Sequence, residues 1–196
     1  MISDMTKAAR PRGSTCLAAL AIASLCGCGD GAQHGSTAGA PGSAGPARGS
    51  IALTSEAFSP GGRIPSRFTC DGADVSPPLA WMPPEGAATL AIVMRDIDVP
   101  GRTFVHWMVT GLRARTRGLR AGQVPATARQ LPSSLGTSRY RGPCPPPGDP
   151  PHRYVFTLYA LTAQPSIPAG TPGPQAQQAI MRAAGAQGSL TGTYGR

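Results

Sequence analysis

The chain has 196 residues, a formal net charge of +9 and 40% hydrophobic residues, which suits one ordinary domain with a core plus accessory segments. Its 26 glycines and 22 prolines approach the share of low-complexity chains, but the excess falls before residue 50 and, beyond it, in connections. The distribution of charge argues against a nucleic-acid surface. The basic residues are scattered, and the one cluster, Arg113, Arg115, Arg117 and Arg120, has no interleaved aromatics and reads as a solvated loop.

Lys7, Arg10 and Arg12 precede a nine-residue apolar run, Leu17 to Leu25. As a helix it would rise only about 13–14 Å against a bilayer core of about 30 Å, so it has the layout of an export signal and not of a membrane span. Leu25-Cys26-Gly27-Cys28 resembles the bacterial lipobox, which predicts cleavage after residue 27 and a diacylglycerol on the Cys28 sulfur. Several acyl chains on one cysteine anchor stably where one would not. Residues 28–50 are mostly Gly, Ala, Ser, Pro and Thr, too poor in apolar surface to offset their ordering entropy, and read as a tether in which His34 is solvated. The folded domain is expected over 51–196. The expected location is the bacterial envelope, with the domain lipid-anchored and facing the periplasm.

The domain opens with a short strand, Ile51 to Ser55, followed by turns at Gly61-Gly62 and Ile64-Pro65. Asp71-Gly72 marks another turn, and Trp81 follows a proline pair as a packing residue. Thr89 to Met94 is a continuous apolar run of strand length, consistent with burial on both faces. It ends in Asp96-Ile97-Asp98-Val99-Pro100-Gly101, where strand alternation would put both carboxylates on one side before the chain turns. Phe104 to Val109 is the returning strand. There His106 should share a face with Phe104 and Met108, and the hairpin should bring its imidazole within hydrogen-bond range of Asp96 or Asp98. Residues Arg113 to Ser138 read as a long polar loop.

Six of the nine residues from Pro143 to Pro151 are proline, so that stretch can be neither helix nor interior strand. It makes a stiff wall, and His152 and Tyr154 follow it at period two, leading into the strand Val155 to Leu161. The two rings should emerge side by side as one half of a binding pocket. Gln175 to Ala184 is the one expected helix, with Pro174 in its first turn and Gly185 as its stop, and Ser189 to Tyr194 closes as a strand. Several strands, one short late helix and Gly/Pro-rich connections predict a mainly β fold, a β-sandwich with a small helical appendage.

Two signatures resemble the phosphatidylethanolamine-binding protein family in its bacterial, Raf-kinase-inhibitor-like branch: Asp96-Ile97-Asp98-Val99-Pro100 followed by His106-Trp107, and Tyr140 to Pro146 running on through Gly148 to His152-Arg153-Tyr154. Cys70-Asp71-Gly72, Ser76-Pro77-Pro78-Leu79 with Trp81, and Leu190 to Tyr194 support it. The chain departs from the family pattern at Ile97 and Val99, at Ser133-Ser134-Leu135-Gly136, and in having no histidine after His152. The resemblance implies a two-sheet antiparallel sandwich with a small anion pocket lined by Asp96, His106 and Tyr154 and completed by Pro100, His152 and the backbone around Cys144. In such a pocket His106 would be protonated or donate a hydrogen bond to the anion, with Asp96 orienting it or accepting from an ammonium.

Export and acylation leave Cys70 and Cys144 as an even pair in an oxidising compartment, and a disulfide between them is expected. The functional expectation is a non-catalytic binding module for a phosphate- or carboxylate-bearing small ligand or phospholipid headgroup, with no cofactor, no metal and no nucleic-acid partner. Two other readings compete with it: an inhibitor that binds an enzyme such as a protease or kinase, and metal or hydrolytic chemistry on two histidines and a carboxylate.

Overall fold

Alternating and continuous apolar runs build the strands, and the glycine and proline between them set where the strands end. The computed structural model describes residues 49–196. The signal read in 1–27, the lipidation of Cys28 and the tether up to residue 48 lie outside the described residues. Within them the elements run β1 (Leu53–Thr54), β2 (Leu79–Trp81), β3 (Thr89–Asp96), β4 (Phe104–Arg113), β5 (Gly118–Leu119), β6 (Arg129–Gln130), β7 (His152–Leu161), α1 (Gly173–Arg182) and β8 (Ala184–Tyr194). A short 3-10 turn spans Ser66–Phe68.

The strands form two antiparallel sheets, a small one ordered β1-β2-β5 and a large one ordered β6-β4-β3-β7-β8. Strand β3 lies at the centre of the large sheet, and its sequence explains why. Leu90, Ile92 and Met94 face the small sheet and pack with Leu53, Leu79, Trp81 and Leu119. Ala91 and Val93 face the other way, where Ala176 and Ile180 of α1 cover them. Both faces are therefore buried, and the run needs no polar alternation. Each such side chain taken fully out of water contributes about 1.5–3 kcal/mol.

Three boundaries differ from the sequence reading. Helix α1 ends at Arg182 with Ala183 as its cap, so Gly185 is already strand. Strand β8 covers eleven residues where six were expected, because Ala184-Gly185-Ala186-Gln187-Gly188 pairs with β7 despite its glycines. Gly188 is required there: a Cβ would run into the Ile51 carbonyl. The third difference lies at the start. The Gly49 carbonyl accepts from the Gln187 N–H at 3.1 Å and the Ile51 N–H donates to the Gln187 carbonyl at 3.0 Å, so ordered pairing begins before residue 51. Within the expected loop from Arg113 to Ser138, β5 and β6 add edge strands to the two sheets.

Candidate functional site

The end of the large sheet where β3 stops and β7 begins carries the chemistry. Asp96, the last residue of β3, lies opposite Tyr154 of β7 and is 3% exposed. The chain turns at once: the Asp98 N–H donates to Asp96 Oδ1 at 2.9 Å. That turn separates the two carboxylates that simple alternation placed together. Asp98 faces outward, where it accepts from the Arg153 guanidinium at 2.5 and 2.9 Å and from the Arg153 backbone N–H at 2.7 Å. The Arg153 side chain holds its carboxyl below the usual carboxylate range. Asp96 faces inward and accepts from His152 Nδ1 at 2.7 Å.

His106 does not pair with Asp96 or Asp98. The register between β3 and β4 slips at this point, Met94 opposing Trp107 while Arg95 opposes Val105. His106 is the extra residue of a β-bulge, a device that re-aims a side chain. Before the slip Val105 packs on the α1 face; after it Met108 does, with Trp107 on the inner face. His106 thus turns to the inner side, edge-on to Phe104 (4.9 Å between ring centres) and to Tyr154 (5.3 Å), and not to the side of Met108. Its Nδ1 lies 2.9 Å from the Arg141 carbonyl oxygen. A carbonyl only accepts, so Nδ1 carries the hydrogen and Nε2 is the acceptor in the neutral ring. Burial pushes the imidazole pKa down, opposed by the Arg141 carbonyl and by the charge of Asp96. Donation from Nε2 to an anion therefore requires proton uptake against burial.

His152 and Tyr154 do emerge side by side, their rings 6.4 Å apart and near parallel. Tyr154 is fully buried and its hydroxyl has no hydrogen-bond partner. The Asp96 carboxylate and the Cys144 backbone N–H lie close enough to influence it, but neither meets it in hydrogen-bonding geometry. Burial first, then the Asp96 charge, push the phenol far above its ordinary pKa, so it is a hydrogen-bond donor at any physiological pH.

The proline-rich wall is tied down through its few remaining polar groups. The Tyr140 hydroxyl donates to the Phe68 carbonyl at 2.9 Å, the Gly142 N–H donates to Asp74 Oδ1 at 2.6 Å, and the Cys70 N–H donates to the Pro143 carbonyl at 3.1 Å. Cys70 and Cys144 form the expected disulfide, with Cα atoms 5.4 Å apart. Asp74 holds a left-handed φ of 52° to present its carboxylate, which also faces the Arg141 guanidinium at 3.6 Å. Gly142 fits because a Cβ there would lie 2.8 Å from Thr69 Cα and 2.9 Å from Asp74 Oδ1. Pro143, Pro145, Pro146 and Pro147 carry no N–H, so Cys144 supplies the one backbone donor between Gly142 and Gly148.

These walls enclose a cavity of about 250 Å³ in which Asp96, His106, His152 and Cys144 meet. Pro100 is exposed in the turn and is not part of the wall, where Val99 and Arg102 stand instead; Tyr154 lies beneath the floor. Sequence reasoning missed Asp74, Arg102 and Arg141. Arg141 could have been found, since it directly precedes the glycine that admits the loop, whereas the left-handed Asp74 left no local signal. A larger and more open depression of about 600 Å³ runs along β2 and β5, but only Glu56 and Arg120 bring charge to it and no polar groups converge. No set of three metal-ligating side chains occurs among the described residues.

A two-sheet antiparallel sandwich with a small polar cavity at the end of its large sheet is the architecture of one known class of protein. The family model described as phosphatidylethanolamine-binding protein matches residues 54–195, and the chain belongs to that family. LppC of Mycobacterium tuberculosis, whose name carries the word lipoprotein, is 45% identical over 149 residues, covering 76% of this chain and 74% of LppC. A UPF0098 protein of the same species is 42% identical over 144 residues, covering 74% of this chain and 70% of the relative. Two solved structures share the fold. The phosphatidylethanolamine-binding protein homolog CT736 of Chlamydia trachomatis has a TM-score of 0.68 at 35% identity, covering 75% of this chain and 98% of its own. YbcL of E. coli has a TM-score of 0.70 at 26% identity, covering 74% and 98%.

Proposed function

We infer that this chain is a binding module of the bacterial envelope, held there by a lipid on Cys28, that takes a small phosphate- or carboxylate-bearing ligand in the cavity between Asp96, His106 and the Cys144 backbone. One observation carries the reading. Just beneath the floor of a rigid cavity a buried tyrosine hydroxyl has no partner, beside a lone backbone N–H. Leaving a buried donor unmet costs about 1–3 kcal/mol, and a stiff site tolerates that where a ligand oxygen completes it. Arg102 and Arg141 bring positive charge to the wall. Asp96 and the neutral His106 are acceptors, so the preferred ligand carries a hydrogen as well as a charge, as a monoprotonated phosphate or an aminated phosphate does. Fixed groups converging on a pre-formed cavity suit recognition better than turnover.

Calorimetric titration with phosphate, acetate and phosphoethanolamine tests this on the wild type and on His106→Ala. Saturable heat that the substitution weakens at least tenfold is expected. Absence of heat and of chemical-shift change with all three compounds in the wild type would refute it.

A further inference from the structure

The arginine cluster of the sequence is not used by the cavity, and the topology puts it at the far end of the domain. Thr89 opens β3 opposite both Arg113 of β4 and Leu161 of β7, while Asp96, where β3 closes, opposes Phe104 and Tyr154. Seven steps of strand separate the two ends, or about 23 Å. The Thr116 N–H donates to the Arg113 carbonyl at 2.9 Å, closing a tight turn, and the Arg117 carbonyl accepts from Trp81. Arg113, Arg115 and Arg117 are therefore presented from one turn, all exposed. None of them makes an ion pair or a side-chain hydrogen bond among the described residues. Arg182 closes α1 at the same end, beside the Ala183 that meets Thr162.

The aspartates are distributed the opposite way, while Glu85 is the acidic residue that borders the arginine end beside Gly49. Asp71, Asp74, Asp96, Asp98 and Asp149 are all the aspartates of the described chain, and every one lies at the cavity end. There they neutralise Arg141, Arg153 and Arg196. The chain preceding Gly49 joins at the arginine end, where Gly49 meets Gln187 and borders Ala160, Leu161 and Thr162.

We propose that the Arg113–Arg117 turn docks on an anionic lipid surface, so that the tethered domain stands with its arginine end on the membrane and its cavity turned away. Charge complementarity selects the occupant, and Gly49, through which the preceding segment joins the domain, lies at that same end. The separation exceeds the Debye length of about 8 Å at physiological salt, so the aspartates do not cancel the attraction. The orientation deepens the proposed function: the cavity receives ligands from the aqueous side, and headgroups of the supporting bilayer are out of its reach. It rests on that reading only for the presence of a membrane. The docking assay is read at the arginine turn and the calorimetric titration at the cavity, so either idea can fail without the other.

Among the described residues the core runs from Ile51 to Tyr194, so a chain begun at Gly29 keeps that core and lacks the acylation point. Its partition onto vesicles of phosphatidylglycerol and phosphatidylcholine is measured against pure phosphatidylcholine, at low and physiological salt. Binding to the anionic vesicles alone, weakened by salt, is expected. Each arginine near an anionic surface contributes about fivefold, so the triple change Arg113→Gln, Arg115→Gln, Arg117→Gln should lower partition on the order of a hundredfold. The same number of charges removed away from that turn, Arg63→Gln, Arg67→Gln and Arg139→Gln, should change it little. Hydrogen exchange on the unsubstituted chain should show vesicle-dependent protection over residues 113–120 and none over 140–151. Equal binding to neutral vesicles, equal loss in the two triple variants, protection over 140–151, or binding to an acidic polymer but not to vesicles would each overturn the proposal.

Discussion

Removing the disulfide tests whether the proline-rich wall depends on its covalent tie. Cys70 and Cys144 stand 74 positions apart in sequence, and the chain-entropy relation gives about 4.5 kcal/mol for a loop of that size. For a domain of this size each kcal/mol shifts the thermal midpoint by about 2–4 °C, so the double change Cys70→Ala, Cys144→Ala should lower it by roughly 9–18 °C. The loss should also be local in its effect on the cavity. The wall retains the Gly142 and Tyr140 hydrogen bonds, but Cys144 is freed, and with it the donor beside Tyr154. Differential scanning calorimetry measures the first effect and phosphate titration of the variant the second. A midpoint within about 3 °C of the wild type would mean that the loop is held by its other contacts and that the entropic argument fails here.

Gly142→Ala forces a methyl group against Thr69 and the Asp74 carboxylate and should destabilise by about 2–4 kcal/mol in urea unfolding, with the His106 ring losing its fixed acceptor on Arg141; unchanged stability would show that the Phe68–Asp74 segment can yield. Tyr154→Phe removes a donor that has no partner, so the unliganded protein should be as stable as the wild type or gain up to about 1 kcal/mol, while phosphate affinity falls; a clear loss of stability would mean the hydroxyl is satisfied. Because burial lowers the His106 pKa, the unfolded chain takes up that proton first. Stability should therefore be unaffected by this group above the unfolded value of 6.5 and fall as pH drops below it, and His106→Gln should flatten that slope in unfolding measured between pH 7 and 5; an identical slope in the variant would assign the effect elsewhere.

Much of this architecture was legible because it rests on local chemistry. Thr89 to Met94 is apolar on both faces, and both faces are covered. Pro143 to Pro151 excludes regular structure through fixed φ angles and missing donors, which needs no tertiary information. The period-two placement of His152 and Tyr154 holds because no bulge intervenes between them. What stayed hidden depends on register. A bulge is one extra residue in one strand relative to its partner, so β4 alone cannot reveal that His106 is that residue. Likewise the extension of β8 through Gly185 and Gly188 is set by β7 and by the close approach of Ile51, not by strand propensity.

The exchange of partners at the site follows from that bulge. With His106 turned onto the Arg141 carbonyl, the inward oxygen of Asp96 is left to His152, and two histidines that look equivalent in sequence acquire different duties. Both commit Nδ1, but to different acceptors: a carboxylate fixes His152, while a neutral carbonyl on the proline-rich wall fixes His106. The wall therefore does more than bound the cavity. Arg141 sets the tautomer of the histidine across from it, Gly142 and Asp74 set where Arg141 can lie, and the disulfide two residues on sets how far the strand of prolines can drift. A change anywhere along Asp74, Gly142 or Cys144 should consequently be read at His106 and its Arg141 carbonyl partner.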